Sequence, residues 1–347
     1  MMKNIDVLIV GAGPAGSICA SLLLQKGVSC MLIDRATFPR DKICGGAVTV
    51  KSWRLLDVLL PGISYDYYSV RKLHLLLDGR EGCQFEAEQE VRIVRRRFFD
   101  HSLLNYYLSR GGNYHKDSPK TISKLPDGKI QVELSSGETV ACRYLVGADG
   151  SNSFVRRYLT GHRDQSLLAM EQNVDKGTYD DRDDMMIDLC RTYDKGGYFY
   201  RFPHSDYEVL GYGDLSTSPE RFRQVLRDRN MPEGQFRGSY IYLSNDYPLD
   251  DHIILIGDAG GFANRLTCEG IYDAIKTAKN AATAIVENRP FREVNKQVFA
   301  KMKKQTAFAH FFFSATGFAL IRFFCRFPEI VKWLFDTKMK RESFFNK

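Results

Sequence analysis

The chain has 347 residues, 44% of them hydrophobic and 26% charged, which suits about two domains with a substantial core and excludes intrinsic disorder. Its net charge of +7 is uneven, because residues 291–347 hold twelve Lys or Arg against four Asp or Glu and the rest is near neutral. No recognition motif accompanies that charge, so nucleic acid is not the expected partner. The eight cysteines form no CxxC pair and no metal-ligand cluster, and the N-terminus runs straight into a strand pattern. Reduced thiols in a cytoplasm-type compartment, no metal and no secretory leader are therefore expected.

The first forty residues carry the clearest pattern. An apolar run, Ile5–Val10, meets Gly11-Ala12-Gly13-Pro14-Ala15-Gly16, a helix of small residues follows over Ser17–Gln25, and a second apolar run ends at Asp34-Arg35. This is the sequence form of a βαβ unit that binds a dinucleotide. Gly11 permits the tight turn, Gly13 lets the backbone approach a pyrophosphate, and Gly16 lets helix and strand pack closely. Asp34 falls where an acid accepts hydrogen bonds from a ribose.

A polar loop then leads to Lys42-Ile43-Cys44-Gly45-Gly46-Ala47 and a helix predicted over Val48–Leu60, stopped by Pro61-Gly62. Arg40, Lys42 and the nearby helix start could activate the Cys44 thiol, whereas most lone cysteines are inert packing residues. Two strands are expected at 69–78 and 82–88, then a helix from Arg95 to Gly111. Arg95-Arg96-Arg97 at its start oppose the helix dipole unless an anion is close. Strands are expected at 119–125, 129–134 and 139–147, with turns at Asp127-Gly128 and Ser136-Gly137. The last ends at Asp149-Gly150, where the following Ser151 and Asn152 are able to cap a helix.

From Ser166 to Leu243 short aromatic strands and one helix near 218–229 mark a second, mostly antiparallel unit. In Gly196-Gly197-Tyr198-Phe199-Tyr200-Arg201-Phe202-Pro203, strand alternation puts Tyr198, Tyr200 and Phe202 on one face, with Gly211 and Gly213 after a short interval. The face reads as an aromatic wall or as an ordinary sheet core. A third strand and acid pair, Ile253–Gly257-Asp258, precedes a helix predicted from Thr267 through Gly270-Ile271 to about Glu287. The basic, Phe-rich tail suits an anionic membrane surface, and equally a helical cap with a solvated basic face. Its longest apolar run, Ala307–Ile321, is 15 residues and includes His310, short of a bilayer span.

Three glycine-acid sites in this order resemble the FAD-dependent superfamily built on the p-hydroxybenzoate hydroxylase fold. Lys42–Gly46 and the Tyr198-x-Tyr200-x-Phe202-Pro203…Gly211-x-Gly213 pattern further resemble the geranylgeranyl reductases, including their CbrA-like bacterial members. The resemblance implies an α/β fold. A discontinuous Rossmann-type FAD-binding domain (1–68, 90–165, 244–290) would carry an inserted, mostly antiparallel β-sheet substrate domain (69–89, 166–243) and a C-terminal helical segment (291–347). It assigns FAD to Gly11, Gly13, Pro14, Ala15, Gly16, Asp34, Arg35, Cys44, Gly45, Gly46, Ala47, Arg96, Asp149, Gly150, Gly257, Asp258, Gly270 and Ile271. It assigns an isoprenoid or other lipid substrate to Tyr198, Tyr200, Phe202, Pro203, Gly211 and Gly213, with Cys44 in a catalytic role. Tyr200 stands where these relatives usually have Trp, and Arg265 where they commonly place Pro beside the flavin.

The expected activity is hydride transfer from reduced FAD to an alkene. Alternatives from the same sequence are a hydroxylase of small aromatic or polyketide substrates using NAD(P)H and O₂, and a non-catalytic, membrane-associated flavin-binding protein. NAD(P)H or a ferredoxin-type protein would be the electron donor. The expected location is cytoplasmic, peripheral on the inner face of the membrane through residues 291–347.

Overall fold

A computed structural model describes residues 2–161, 166–177, 182–191, 197–214, 216–244, 246–248 and 250–344; Gly196 of the aromatic pattern lies outside them. A βαβ unit opens the chain: β1 (Met2–Val10), α1 (Pro14–Gln25) and β2 (Cys30–Asp34). A two-residue strand β3 (Ala47–Val48), helix α2 (Val50–Leu59), the hairpin β4 (Tyr68–Leu77) and β5 (Arg80–Ile93), and helix α3 (Arg96–Leu108) follow. Next come β6 (Asn113–Lys116), β7 (Pro119–Lys124), β8 (Ile130–Leu134), β9 (Thr139–Gly147) and helix α4 (Phe154–Thr160). The middle of the chain gives β10 (Ser166–Asp175), β11 (Met185–Cys190), β12 (Gly197–Pro203), β13 (Tyr207–Asp214), α5 (Pro219–Arg227) and β14 (Phe236–Tyr242). The last part comprises β15 (Ile253–Leu255) and helices α6 (Ile271–Val286), α7 (Phe291–Val294), α8 (Lys296–Phe312), α9 (Ala315–Phe324) and α10 (Pro328–Phe344).

These strands form two sheets. In the first, ordered β6-β2-β1-β9-β8-β7 with β15 also on β9, the pairs among β6, β2, β1, β9 and β15 are parallel. Both faces are covered, which is why β1 and β2 read as continuous apolar runs rather than alternating ones. Val7 and Ile9 pack under α1, α3 and α6, while Leu8 and Val10 pack on the opposite side with Leu145, Val155 and Leu255. Helix α1 is buried from Pro14 through Ser21, a run of small residues interrupted by Ile18.

The second sheet is ordered β14-β10-β13-β12-β11-β4-β5-β3 and is antiparallel except between β11 and β4. One end is backed by α5 through Phe222, Val225 and Leu226. The other is backed by the C-terminal helices, where Phe318 and Cys325 sit against Leu77, Cys83 and Leu189, and Phe335 meets Phe85 at a tilt.

Three local features differ from the sequence reading. Strand β6 was not anticipated, because a four-residue edge strand with three polar members leaves no periodic trace. Residues 47–48 form a strand paired to the end of β5, so Ala47 belongs to the second sheet, and β5 itself continues to Ile93. Helix α6 begins at Ile271 behind Gly270, which leaves Thr267–Glu269 as loop.

A buried ion pair ties the β4–β5 turn to α5. Asp188, with no exposed surface, accepts hydrogen bonds from Gly79 N (3.0 Å) and from Arg229 Nε (2.8 Å). Replacing Arg229 by Met leaves that carboxylate without its cation and should cost about 3–5 kcal/mol of unfolding free energy. Urea titration checks this, and adding Asp188→Asn to the same chain should recover part of the loss.

Candidate functional site

The three glycine-acid loops meet at the N-terminus of α1. Gly11 has φ +107°, and a Cβ there would lie 2.3 Å from the Ala148 carbonyl oxygen, so the first loop rests directly on the second. A Cβ on Gly16 would lie 1.8 Å from the Gly11 oxygen, and one on Gly257 3.0 Å from the Ala15 Cβ. The third loop is joined to the second by the Ser151 hydroxyl, which donates to Asp258 Oδ2 at 3.4 Å, and by Arg156, which donates to the Ala259 carbonyl at 2.9 Å. Asp258 Oδ1 lies 3.1 Å from where a Gly270 Cβ would be, so that acid faces the start of α6.

Each acid has a defined backbone partner. Asp34 Oδ2 accepts from Ala12 N at 2.7 Å and Oδ1 from Ala36 N at 2.8 Å, which holds the carboxylate, with Arg35 beside it, at the lip of the glycine loop. Asp149 Oδ2 accepts from Phe154 N at 2.6 Å, and the Ser153 hydroxyl accepts from Arg156 N at 2.9 Å. The residues that cap α4 are thus Asp149 and Ser153, not Ser151 and Asn152, because the chain turns at Gly150 with φ +75°. Asp149 Oδ1 is buried without a hydrogen-bond partner, and burial pushes this carboxyl up from the usual carboxylate range.

The arginines at the start of α3 each have an anion close by, and it is a carboxylate of the chain. Arg95 pairs with Asp206, Arg97 with Asp41 at 3.2 Å, and Arg96 donates from Nε and Nη2 to Asp100 at 2.7 and 2.9 Å. Asp100 also binds Arg40 at 3.1 Å, and Arg40 Nη2 lies 3.3 Å from a Cβ position on Gly13. The cation over the glycine loop is therefore Arg40. Burial opposes the Arg96 charge, but Asp100 and the Cys44 sulfur outweigh it and hold the guanidinium above its usual range.

Cys44 is half-buried, and its sulfur accepts from Gly46 N at 3.5 Å. The cation beside it is Arg96; α2, the helix start invoked from the sequence, begins only at Val50. A Cβ on Gly45 would lie 2.5 Å from Phe202 and 2.8 Å from Tyr200, and one on Gly46, at φ +81°, 2.0 Å from the Val94 oxygen. The loop is pressed between the aromatic face of β12 and the end of β5. Tyr198, Tyr200 and Phe202 do share that face, with ring centroids 5.7 and 4.5 Å apart, and Pro203 ends the strand. The Tyr198 hydroxyl donates to the Thr267 carbonyl at 2.6 Å, which links the wall to the loop before α6.

Sheet register explains the two glycines of β13. Glu171, Gly211 and Tyr200 lie in one row across β10, β13 and β12. A Cβ on Gly211 would lie 2.2 Å from Tyr200 Cζ, so the ring lies flat over Gly211 and its hydroxyl donates to Glu171 Oε1. Gly213 stands opposite Tyr198, and its own Cβ position is 3.2 Å from Leu167. Burial pushes the Glu171 carboxyl up, against the Tyr200 hydrogen bond and the Lys42 charge, and burial together with Glu171 raises Tyr200 well above the usual phenol.

Glu171, Cys44, Lys42, Arg96 and His204 line a cavity of about 310 Å³. His204 stacks on Tyr207, its Nε2 is buried without a partner, and burial with Arg95 nearby lowers it to about 4, so it is neutral at ordinary pH. Arg265, on the loop before α6, has Nε and Nη2 buried without partners, and burial lowers it. Glu171 and His204 were not among the residues singled out from the sequence, and Arg40 was read there only as a neighbour of Cys44. Each is a single polar residue whose meaning depends on a neighbour distant in the chain.

An FAD binding domain model matches residues 4–70. A menaquinone reductase of Mycobacterium tuberculosis is 29% identical over 80% of this chain and 75% of its own. A chloroplastic geranylgeranyl diphosphate reductase of Arabidopsis thaliana is 25% identical over 82% of this chain and 66% of its own. The chain is an FAD-dependent oxidoreductase related to the geranylgeranyl reductases. The fold of the oxidoreductase is shared with a geranylgeranyl bacteriochlorophyll reductase-like protein of Thermoplasma acidophilum, at a TM-score of 0.70 and 18% identity over 99% of this chain and 92% of the other.

The residues present fit FAD. The amino end of α1 carries no side-chain cap at Gly13, so its backbone N–H groups point at the place a pyrophosphate takes. The cradle closes only because Gly11 and Gly16 lack a Cβ. Gly13→Ala meets nothing but the tip of Arg40, so it should lower flavin affinity by roughly tenfold or more while leaving the melting temperature unchanged. Gly11→Ala, driven into the Ala148 backbone, should lower both. Visible absorbance per mole of protein and thermal melts separate the two.

The raised Glu171 carboxyl has a signed consequence. Below the unfolded value of about 4.3 the acid is protonated in both states and stability does not vary with its titration; above it the folded state resists ionisation and stability is lost as pH rises. Glu171→Gln should therefore gain on the wild type as pH rises above the unfolded value of about 4.3, as read by parallel thermal melts; a constant difference would show that Glu171 does not titrate abnormally.

Proposed function

We propose that the chain is a flavin-dependent alkene reductase acting on an isoprenoid or similarly long apolar substrate. The observation that carries this reading is the seating of Gly45 against Tyr200 and Phe202, which brings the Cys-Gly-Gly loop and the aromatic wall into contact. The two relatives that are reductases by name support it.

Reduced FAD, when bound, supplies the hydride. Gly11, Gly13, Pro14, Ala15 and Gly16 with Arg40 would hold its pyrophosphate, and Asp34 the adenosine ribose. Asp149, Gly150, Gly257, Asp258, Gly270 and Ile271 would hold the ribityl side. Tyr198, Tyr200 and Phe202 would orient the substrate chain and exclude water. Addition of a hydride to one alkene carbon requires a proton at the other. Cys44 Sγ stands beside Arg96 at the proposed reacting end, while Tyr200 Oη with Glu171 retains a proton to high pH. The flavin would be reduced by NAD(P)H or by a ferredoxin-type protein. This reading includes a cytoplasmic protein resting on the inner face of a membrane, supported by the basic, aromatic C-terminal helices.

One observation favours a second reading. The cavity beside Cys44 is polar and, at about 310 Å³, of a size that suits a small aromatic substrate of a hydroxylase. One experiment separates the two. With the flavin reduced anaerobically, a geranylgeranyl lipid should reoxidise it and yield a product with one or more double bonds saturated, and Cys44→Ser should slow that step by roughly tenfold or more. NAD(P)H oxidation that consumes O₂ only when a small aromatic is present, with no reoxidation by any polyprenyl lipid, would replace the reductase reading by the hydroxylase.

A further inference from the structure

Of the seventeen large apolar side chains exposed among the described residues, nine lie between Phe308 and Leu334. Helices α9 and α10 already bury one apolar side against the second sheet through Phe318, Cys325 and Phe335. Their outer side is apolar as well. Phe323, Phe324 and Phe327 touch ring to ring, with Phe323 centroids 5.8 and 5.5 Å from the other two, and Ile330, Trp333 and Leu334 follow at helical spacing. Trp333 is 63% exposed. A helix that is apolar on both sides has a second apolar environment to meet.

Charge decides which one. Lys303, Lys304, Arg322, Arg326 and Lys338 are exposed around these side chains, with Glu329 the exposed acid among residues 299–340, while Lys340 pairs with Glu88 of β5. A second copy of the chain, related by a two-fold axis, would set those cations against their own equivalents. An anionic lipid surface complements them. No single described helix is long and apolar enough to cross a bilayer, and the pair α8 and α9 bends by 84°. That geometry suits helices lying in the headgroup region.

A cavity of about 610 Å³ opens at the same surface. It runs between the loop holding Asn264 and Leu266 and the face of α8 bearing Ala300 and Lys304, with Phe308 at its wall. Phe308 is also 52% exposed, so one ring belongs both to the cavity and to the apolar surface. The next residue after Leu266, Thr267, accepts the Tyr198 hydroxyl of the aromatic wall.

We infer that α8, α9 and α10 form a docking surface for an anionic lipid bilayer, which sets the mouth of the cavity at Phe308 against the lipid. This deepens the reductase reading by naming where an apolar substrate would enter, and rests on that reading for the substrate alone. The flavin-loaded protein should sediment with phosphatidylcholine vesicles containing phosphatidylglycerol at least tenfold more strongly than with phosphatidylcholine alone, and less so as salt is raised. The triple substitution Phe323→Ser, Phe327→Ser and Trp333→Ser should remove that binding by tenfold or more with flavin content and melting temperature unchanged. In a second variant, Phe308→Trp with Trp53→Phe and Trp333→Phe, emission should shift to the blue on anionic vesicles and be quenched by brominated acyl chains. Equal binding to both vesicle types, full binding by the triple variant, an unquenched Trp at 308, or a dimer that the triple variant dissociates would each overturn the inference. None of these measurements needs turnover, so their failure and that of the reductase reading are told apart.

Discussion

The contact between Gly11 and the backbone of Ala148 is the constraint from which the site is built. It brings the turn after β1 to within touching distance of the turn after β9, and it exists only because position 11 has neither a side chain nor an ordinary backbone angle. Once those two turns meet, Asp34, Asp149 and, through Ser151, Asp258 stand around one helix terminus. The parallel pairing of β2, β1, β9 and β15 presents all of these turns at one edge of the sheet, where α/β proteins of this kind bind ligands.

A second set of close approaches joins this edge to the other sheet. Gly45 and Gly46 fit between β12 and β5, and Gly211 lets Tyr200 reach across β13 to Glu171. Glycine is used here for proximity between segments, not for flexibility. The result is a wall in which aromatic rings, a thiol, a buried carboxyl and a neutral imidazole lie within one neighbourhood, with burial raising the Glu171 carboxyl and the Tyr200 phenol and lowering the His204 imidazole.

What could be read from the sequence follows from how local each constraint is. The glycine loops and their acids are local, since a turn, an N–H acceptor and a strand end are all set by residues close in the chain. Tyr198, Tyr200 and Phe202 were placed on one face by alternation alone. Glu171 and His204 were invisible, and Arg40 was read only as a neighbour of Cys44, because nothing next to them in the chain announces their partners: Arg40 meets Asp100, and Glu171 meets Tyr200 only through the register of three strands. The anions that the three arginines of α3 need were not legible for the same reason. Their anions are Asp206, Asp100 and Asp41, two of which are far away in sequence.

Strand β3 is two residues long, yet it fastens the Cys44 loop to β5 and so to the substrate-side sheet. Mechanically, that loop travels with the aromatic wall and not with the helix whose amino end faces the pyrophosphate. Any breathing of the molecule that parts the two sheets therefore opens a seam between α1 and the Cys44 loop, leaving the loop and the wall together. A cofactor spanning that seam would act as a stitch across it, and the apoprotein would be the looser of the two forms.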